Sequence, residues 1–141
     1  MTLKERGSLL LVEDERVLRG LVARFLREEG FAVVEAADGP EGVDRFVDSG
    51  PFDLVLLDLN LPGFSGVEVC RRIKRLESNQ KVLICSAAII PGLESALVEI
   101  GVDRDDFLTK PYHPDELLAR VDAKTAEATA ALATSSSRIG R

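Results

Sequence analysis

Five short apolar runs separated by segments of helical periodicity predict an α/β fold: a single doubly wound (βα)5 domain with a parallel five-stranded sheet in the order 2-1-3-4-5. The runs recur near residues 9, 32, 54, 82 and 107. They are continuous in apolarity rather than alternating, as strands covered by helices on both faces require. Three of them end in charge. Leu9-Leu10-Leu11-Val12 meets Glu13-Asp14, Leu54-Val55-Leu56-Leu57 meets Asp58, and Phe107-Leu108-Thr109 meets Lys110-Pro111. Parallel strands bring those charged ends to one edge of the sheet.

The first helix is read from Val17, Leu18, Leu21, Val22, Phe25 and Leu26, an i, i+3/i+4 stripe closed by Gly30. Further helical segments span about residues 40–49, 66–77, 92–100 and 114–130. The last begins at Pro114 and places Asp115 and Glu116 at the positive end of the helix dipole. Right-handed crossovers and one reversal of winding set strands one and three side by side, with ligands expected beyond their carboxyl ends. Strand five lies two strand spacings from strand three, about 10 Å, a distance that a lysine stem spans. Residues 1–7 read as an N-terminal extension and 8–121 as the domain. Residues 122–141 read as an extension of the last helix that ends in a flexible Ala/Thr/Ser-rich tail, too short for an output domain.

Composition narrows the function. The chain has 141 residues, enough for one domain, and 18 basic against 24 acidic side chains give a net charge of −6. An acidic surface argues against direct nucleic-acid binding. No apolar run reaches the ~20 residues of a membrane span, and the first six residues lack a signal-peptide core, so a cytoplasmic location is expected. Cys70 and Cys85 match no metal-ligand spacing and read as core thiols.

Three carboxylates at one spot either hold protons or bind a hard cation. Oxygen donors with room for water suit Mg²⁺, for which Mn²⁺ could substitute. With the acids neutralised, Asp58 is a candidate nucleophile forming an acyl phosphate. Lys110 and the Ser86 hydroxyl are then candidates to meet phosphoryl oxygens.

In sequence order, four segments complete a pattern: Leu11-Val12-Glu13-Asp14-Glu15, Leu56-Leu57-Asp58-Leu59-Asn60-Leu61-Pro62-Gly63-Phe64-Ser65-Gly66, Leu83-Ile84-Cys85-Ser86-Ala87 and Phe107-Leu108-Thr109-Lys110-Pro111-Tyr112. On these the chain resembles the receiver domain of two-component response regulators, the CheY-like superfamily with its flavodoxin-like sheet, over roughly residues 8–121. The resemblance implies that Asp58 is the phosphoacceptor and Asp14 a direct metal ligand, with Glu13 acting through water and Asn60 through its backbone carbonyl. It implies that Ser86 and Lys110 close on the phosphoryl group, that Phe107 is the switch aromatic, and that the Lys110–Pro111 peptide is cis. Two departures stand out. The span from Ser86 to Lys110 is about two residues longer than usual, at Gly101-Val102-Asp103-Arg104-Asp105-Asp106. Ala88 stands where family members can carry a side chain that assists attack by water, which implies a longer-lived acyl phosphate.

Plainer readings exist for single residues. Asp14 alone reads as a helix N-cap. His113 reads as a surface residue at a helix start. Arg16, Arg19, Arg24 and Arg27 read as the solvated side of the first helix, some of them able to dock a partner. The leading function is a phosphorylation-controlled switch rather than an enzyme. A sensor histidine kinase or histidine phosphotransfer protein is its expected donor, and the face of helix four, strand five and helix five its output surface. Monomer and phosphorylation-dependent dimer both remain open. The alternatives are a haloacid-dehalogenase-like phosphatase, which would want an acid where Asn60 stands, and a phosphorylation-independent binding module.

Overall fold

A computed structural model describes residues 6–87 and 91–139, with all side chains in those spans except those of 91 and 129–139. Strands and helices alternate: β1 Ser8–Val12, α1 Arg16–Glu28, β2 Ala32–Ala36, α2 Gly39–Ser49, β3 Leu54–Leu57, α3 Gly66–Leu76, β4 Val82–Ser86, α4 Pro91–Ile100, β5 Phe107–Thr109 and α5 Pro114–Ile139. All pairings are parallel and the order is β2-β1-β3-β4-β5, the doubly wound arrangement expected from the sequence.

Successive strand residues point to opposite faces, and the core divides accordingly. Leu10, Val12, Val55, Leu57, Val82 and Ile84 pack with Phe46 of α2, Val69 and Ile73 of α3 and Leu97 of α4. Leu9, Leu11, Leu54, Leu56, Leu83 and Leu108 pack with Val22 and Leu26 of α1 and with Leu117 and Val121 of α5. Cys70 and Cys85 lie buried among these side chains as free thiols, which burial pushes up to about 11 and about 12. Both remain protonated at neutral pH and act as small hydrophobes.

Helix starts follow local chemistry. Asp38 caps α2 by accepting from the Glu41 N–H, and Ser65 caps α3 by accepting from the Glu68 N–H. Buried Gln80 joins two loops by bonding the N–H and carbonyl of Phe52 and the carbonyl of Lys81. The segment between α4 and β5 folds back locally. Gly101, at φ +114°, ends α4, and the Asp106 N–H turns back onto the Asp103 carbonyl at 3.0 Å. Asp106 is then buried against Lys124 of α5 at 2.6 Å.

Each outer strand presents carbonyls away from the sheet, and an arginine meets them on both sides. Arg27 donates to the Val33 carbonyl of β2 at 2.7 Å. Arg120 donates to the carbonyls of Asp105 and Phe107 at 2.9 and 3.3 Å. α5 continues to Ile139, through residues 134–139 that composition reads as tail. Ala123, Ala126, Ala128, Ala130, Ala131 and Ala133 favour the helix up to that point, because alanine has the highest helix propensity.

Candidate functional site

Val12 and Leu57 are register partners at the ends of β1 and β3, so Glu13 and Asp58 leave the sheet side by side. Each stays tied to it by one more bond. The Glu13 N–H donates to the Ala36 carbonyl at 3.0 Å, and the Asp58 N–H to the Val12 carbonyl at 3.1 Å. The two residues are only 4% and 7% exposed. Asp14 follows and is exposed. It does not cap α1, whose N-cap is Glu15 without a side-chain bond. One oxygen from each of Glu13, Asp14 and Asp58 lies within 4.8 Å of the others.

Lys110 reaches this cluster across β4. Ser86 pairs with Thr109, and the Lys110 N–H donates to the Ser86 carbonyl at 2.9 Å, which aims the lysine back over the sheet edge. Its ammonium donates to Asp58 Oδ2 at 2.9 Å and also to Glu13 Oε1. The Lys110–Pro111 peptide is cis. Burial pushes the Glu13 carboxyl above its ordinary value, against the pull of Lys110 and of the Glu15 N–H at 3.0 Å. Burial alone would depress Lys110, but its bonds to Glu13 and Asp58 outweigh that and hold it above its usual value. Three carboxylates against one ammonium leave an excess of negative charge among hard oxygen donors, a set that fits a hard divalent cation.

Asp58 is oriented from the α3 side. Its Oδ1 accepts from the Asn60 N–H at 3.1 Å, and the Gly66 N–H closes the turn onto the Leu59 carbonyl at 3.0 Å. Ser86 is buried at the end of β4, next to the Lys110 backbone. Phe107 is half-buried and packs against the core cluster that holds Leu97 and Val102. Tyr112 lines both a small cavity under Glu13 and Asp58 and an apolar groove of about 350 Å³ bounded by Leu18, Ala87, Lys110 and Pro111. His113 is at the surface, its ring Nδ1 accepting from the Asp115 N–H at 3.2 Å at the start of α5. Ala88 lies outside the described residues.

One arginine departs from the expectation of a solvated helix face. Arg19 Nη1 donates to the Glu13 carbonyl at 2.9 Å, and its Nε lies 3.5 Å from Glu35 Oε1. The signal for this was present but weak. Arg19 sits one turn above the helix start, and helical side chains lean toward the N-terminus, over the preceding turn.

Residues 9–122 match the family model of the response regulator receiver domain. Among curated proteins, the sensory transduction protein RegX3 of Mycolicibacterium smegmatis is 42% identical over 116 residues, covering 82% of this chain and 49% of RegX3. The chain thus spans about half the length of the curated relatives it matches. Among solved structures, the signal receiver domain of a LuxO repressor protein from Vibrio parahaemolyticus superposes with a TM-score of 0.82 at 29% identity, covering 92% of this chain and 97% of that one. A chain of the CheX–CheY–BeF3–Mg²⁺ complex from Borrelia burgdorferi gives 0.75 at 27% identity, covering 82% and 87%.

Proposed function

Because this chain belongs to the response regulator receiver domain family, we propose that Asp58 accepts a phosphoryl group and that the resulting charge switches the fold. The observation that carries this reading is the lysine ammonium seated on Asp58 while two further carboxylates converge from β1. An Asp58 oxygen attacks phosphorus, and the bond to the donor's leaving group breaks with its electron pair going to that group. The donor class is a phosphohistidine on a sensor kinase or histidine phosphotransfer protein.

Glu13, Asp14, Asp58 and the Asn60 carbonyl would hold Mg²⁺, which supplies charge neutralisation for the phosphoryl oxygens. A similar chain is crystallised with BeF3 and Mg²⁺, which supports that assignment. Lys110 takes one phosphoryl oxygen, the Asn60 N–H orients Asp58, and the Ser86 hydroxyl turns toward the new group. Phe107 follows Ser86, and the face of α4, β5 and α5 carries the change to a partner or a further domain. On α1, Val17 and Leu21 are exposed apolar side chains next to Leu18, which lines the groove beside Lys110. That apolar patch is the expected docking surface for the phosphodonor. No helix among the described residues is long and apolar enough to cross a membrane; a cytoplasmic location is part of the proposal.

Acetyl phosphate or beryllofluoride with Mg²⁺ tests the reading. Intact-mass and fluorine NMR measurements are expected to show one adduct per chain, formed only with the metal. Sustained release of phosphate would instead favour a phosphatase, and no response would favour a phosphorylation-independent binding module.

The same site sets a pH dependence. The Glu13 carboxyl keeps its proton to higher pH than a free glutamate, and that proton competes with a cation. Between the unfolded and folded values the native state holds more protons, so stability without metal falls as pH rises through that window. Mg²⁺ affinity is expected to climb over the same window and then level off, which calorimetry from about pH 5 to about pH 8 would follow.

A further inference from the structure

Glu13, which opens the turn leading to α1, is held at each of its polar atoms. The Glu13 N–H goes to Ala36, its Oε1 accepts from Lys110, and its Oε2 accepts from the Glu15 N–H. The remaining atom, the Glu13 carbonyl oxygen, accepts from Arg19. That oxygen fixes the plane of the peptide joining residues 13 and 14. Planarity passes the orientation on to the Asp14 Cα and so to the direction of the Asp14 side chain.

Asp14 depends on this because among the described residues it has no fixing contact of its own. It is exposed, and the bonds that orient Glu13 and Asp58 do not reach its carboxylate among the described residues. Arg19 is itself anchored. Its side chain is 18% exposed and faces Glu35, which Arg27 also meets at 3.1 Å. Glu35 immediately precedes Ala36, the acceptor of the Glu13 N–H. The arginine therefore closes a ring through the acidic turn, α1 and β2.

We propose that Arg19 is a positioning residue for Mg²⁺ binding, holding the Glu13–Asp14 peptide so that the Asp14 carboxylate faces Asp58. The role rests on the receiver reading above. It makes a prediction opposite in sign to simple electrostatics. A cation near an acidic pocket repels Mg²⁺, so losing it by charge alone would tighten metal binding. Losing a positioning contact weakens it. Glu35 shares the arginine's charge, so the pocket keeps its negative potential while the turn stays fixed.

Calorimetric titration of Mg²⁺ into the wild-type chain and three variants decides the matter. Arg19→Gln is expected to weaken binding about ten-fold, the scale of one charge-assisted hydrogen bond. Arg19→Lys keeps the charge but loses the two-pronged grip, and is expected to weaken it about three-fold. Arg24→Gln removes the same charge from the same helix at a site paired, among the described residues, with Glu28, and is expected to cause no weakening. Unchanged or tighter binding in both Arg19 variants overturns the role, as does equal weakening in Arg24→Gln. A wild-type chain that binds no Mg²⁺ and forms no beryllofluoride adduct brings down the receiver chemistry and this role together. Wild-type binding with indifferent Arg19 variants brings down this role alone.

Discussion

Asp58→Asn is expected to abolish phosphoryl uptake while leaving the fold in place. An amide has no anionic oxygen to attack phosphorus, and no neighbouring acid can take over. Glu13 is tied to Lys110 and the Glu15 N–H, and Asp14 is exposed on the β1 side of the cluster. The fold tolerates the change because two effects oppose each other. Lys110 loses a 2.9 Å partner but keeps Glu13, and the repulsion between two buried carboxylates disappears. A net change in stability within about 1 kcal/mol is expected, in line with substitutions that open no cavity and strand no buried charge. Urea denaturation would check the fold, and intact mass after acetyl phosphate treatment would check the chemistry. An adduct of undiminished yield in the substituted chain would remove Asp58 from its assigned role.

Gly66→Ala is expected to be the most damaging methyl group that could be added at any of the described glycines. A Cβ at this position would lie 2.2 Å from the Asp58 carbonyl oxygen and 2.6 Å from the Leu59 Cα. Both are backbone atoms, so no side chain can swing aside. The start of α3 must move away from β3, stretching the bond from the Gly66 N–H to the Leu59 carbonyl. Overpacking of this kind costs about 3 kcal/mol. For a domain of this size that lowers Tm by roughly 10 °C. The displaced segment also carries Asn60, whose N–H orients Asp58, so slower phosphoryl uptake is expected with the instability. Thermal unfolding near that of the wild type would show that α3 has more freedom than its contacts indicate.

The fold and the acidic pocket were legible in the sequence for one physical reason. Strands buried on both faces are written as unbroken apolar runs, and parallel register converts their charged ends into neighbours. Glu13, Asp58 and Lys110 needed only the strand order to be brought together. Arg19 was not legible in the same way. Its neighbours Val17, Leu18, Leu21 and Val22 mark the apolar stripe, and nothing local separates a solvated arginine from one that leans back onto a carbonyl. Gln80 shows the same limit, since its partners are backbone groups at Phe52, 28 residues away. The length of α5 was missed because the Ala, Thr and Ser that suggest a tail also permit a helix.

The guanidinium groups of Arg27 and Arg120 bear on how copies of this chain can associate. A sheet whose outermost strands offer free carbonyls invites another molecule to add a strand, and repeated addition leads to ribbons. On one flank Arg27 already occupies the outward carbonyl of Val33, and on the other Arg120 occupies those of Asp105 and Phe107. β5 is also only three residues long, too short a template to recruit a stranger. Any pairing of copies would therefore meet an already engaged strand edge at these carbonyls, and the helical faces would offer it less opposition.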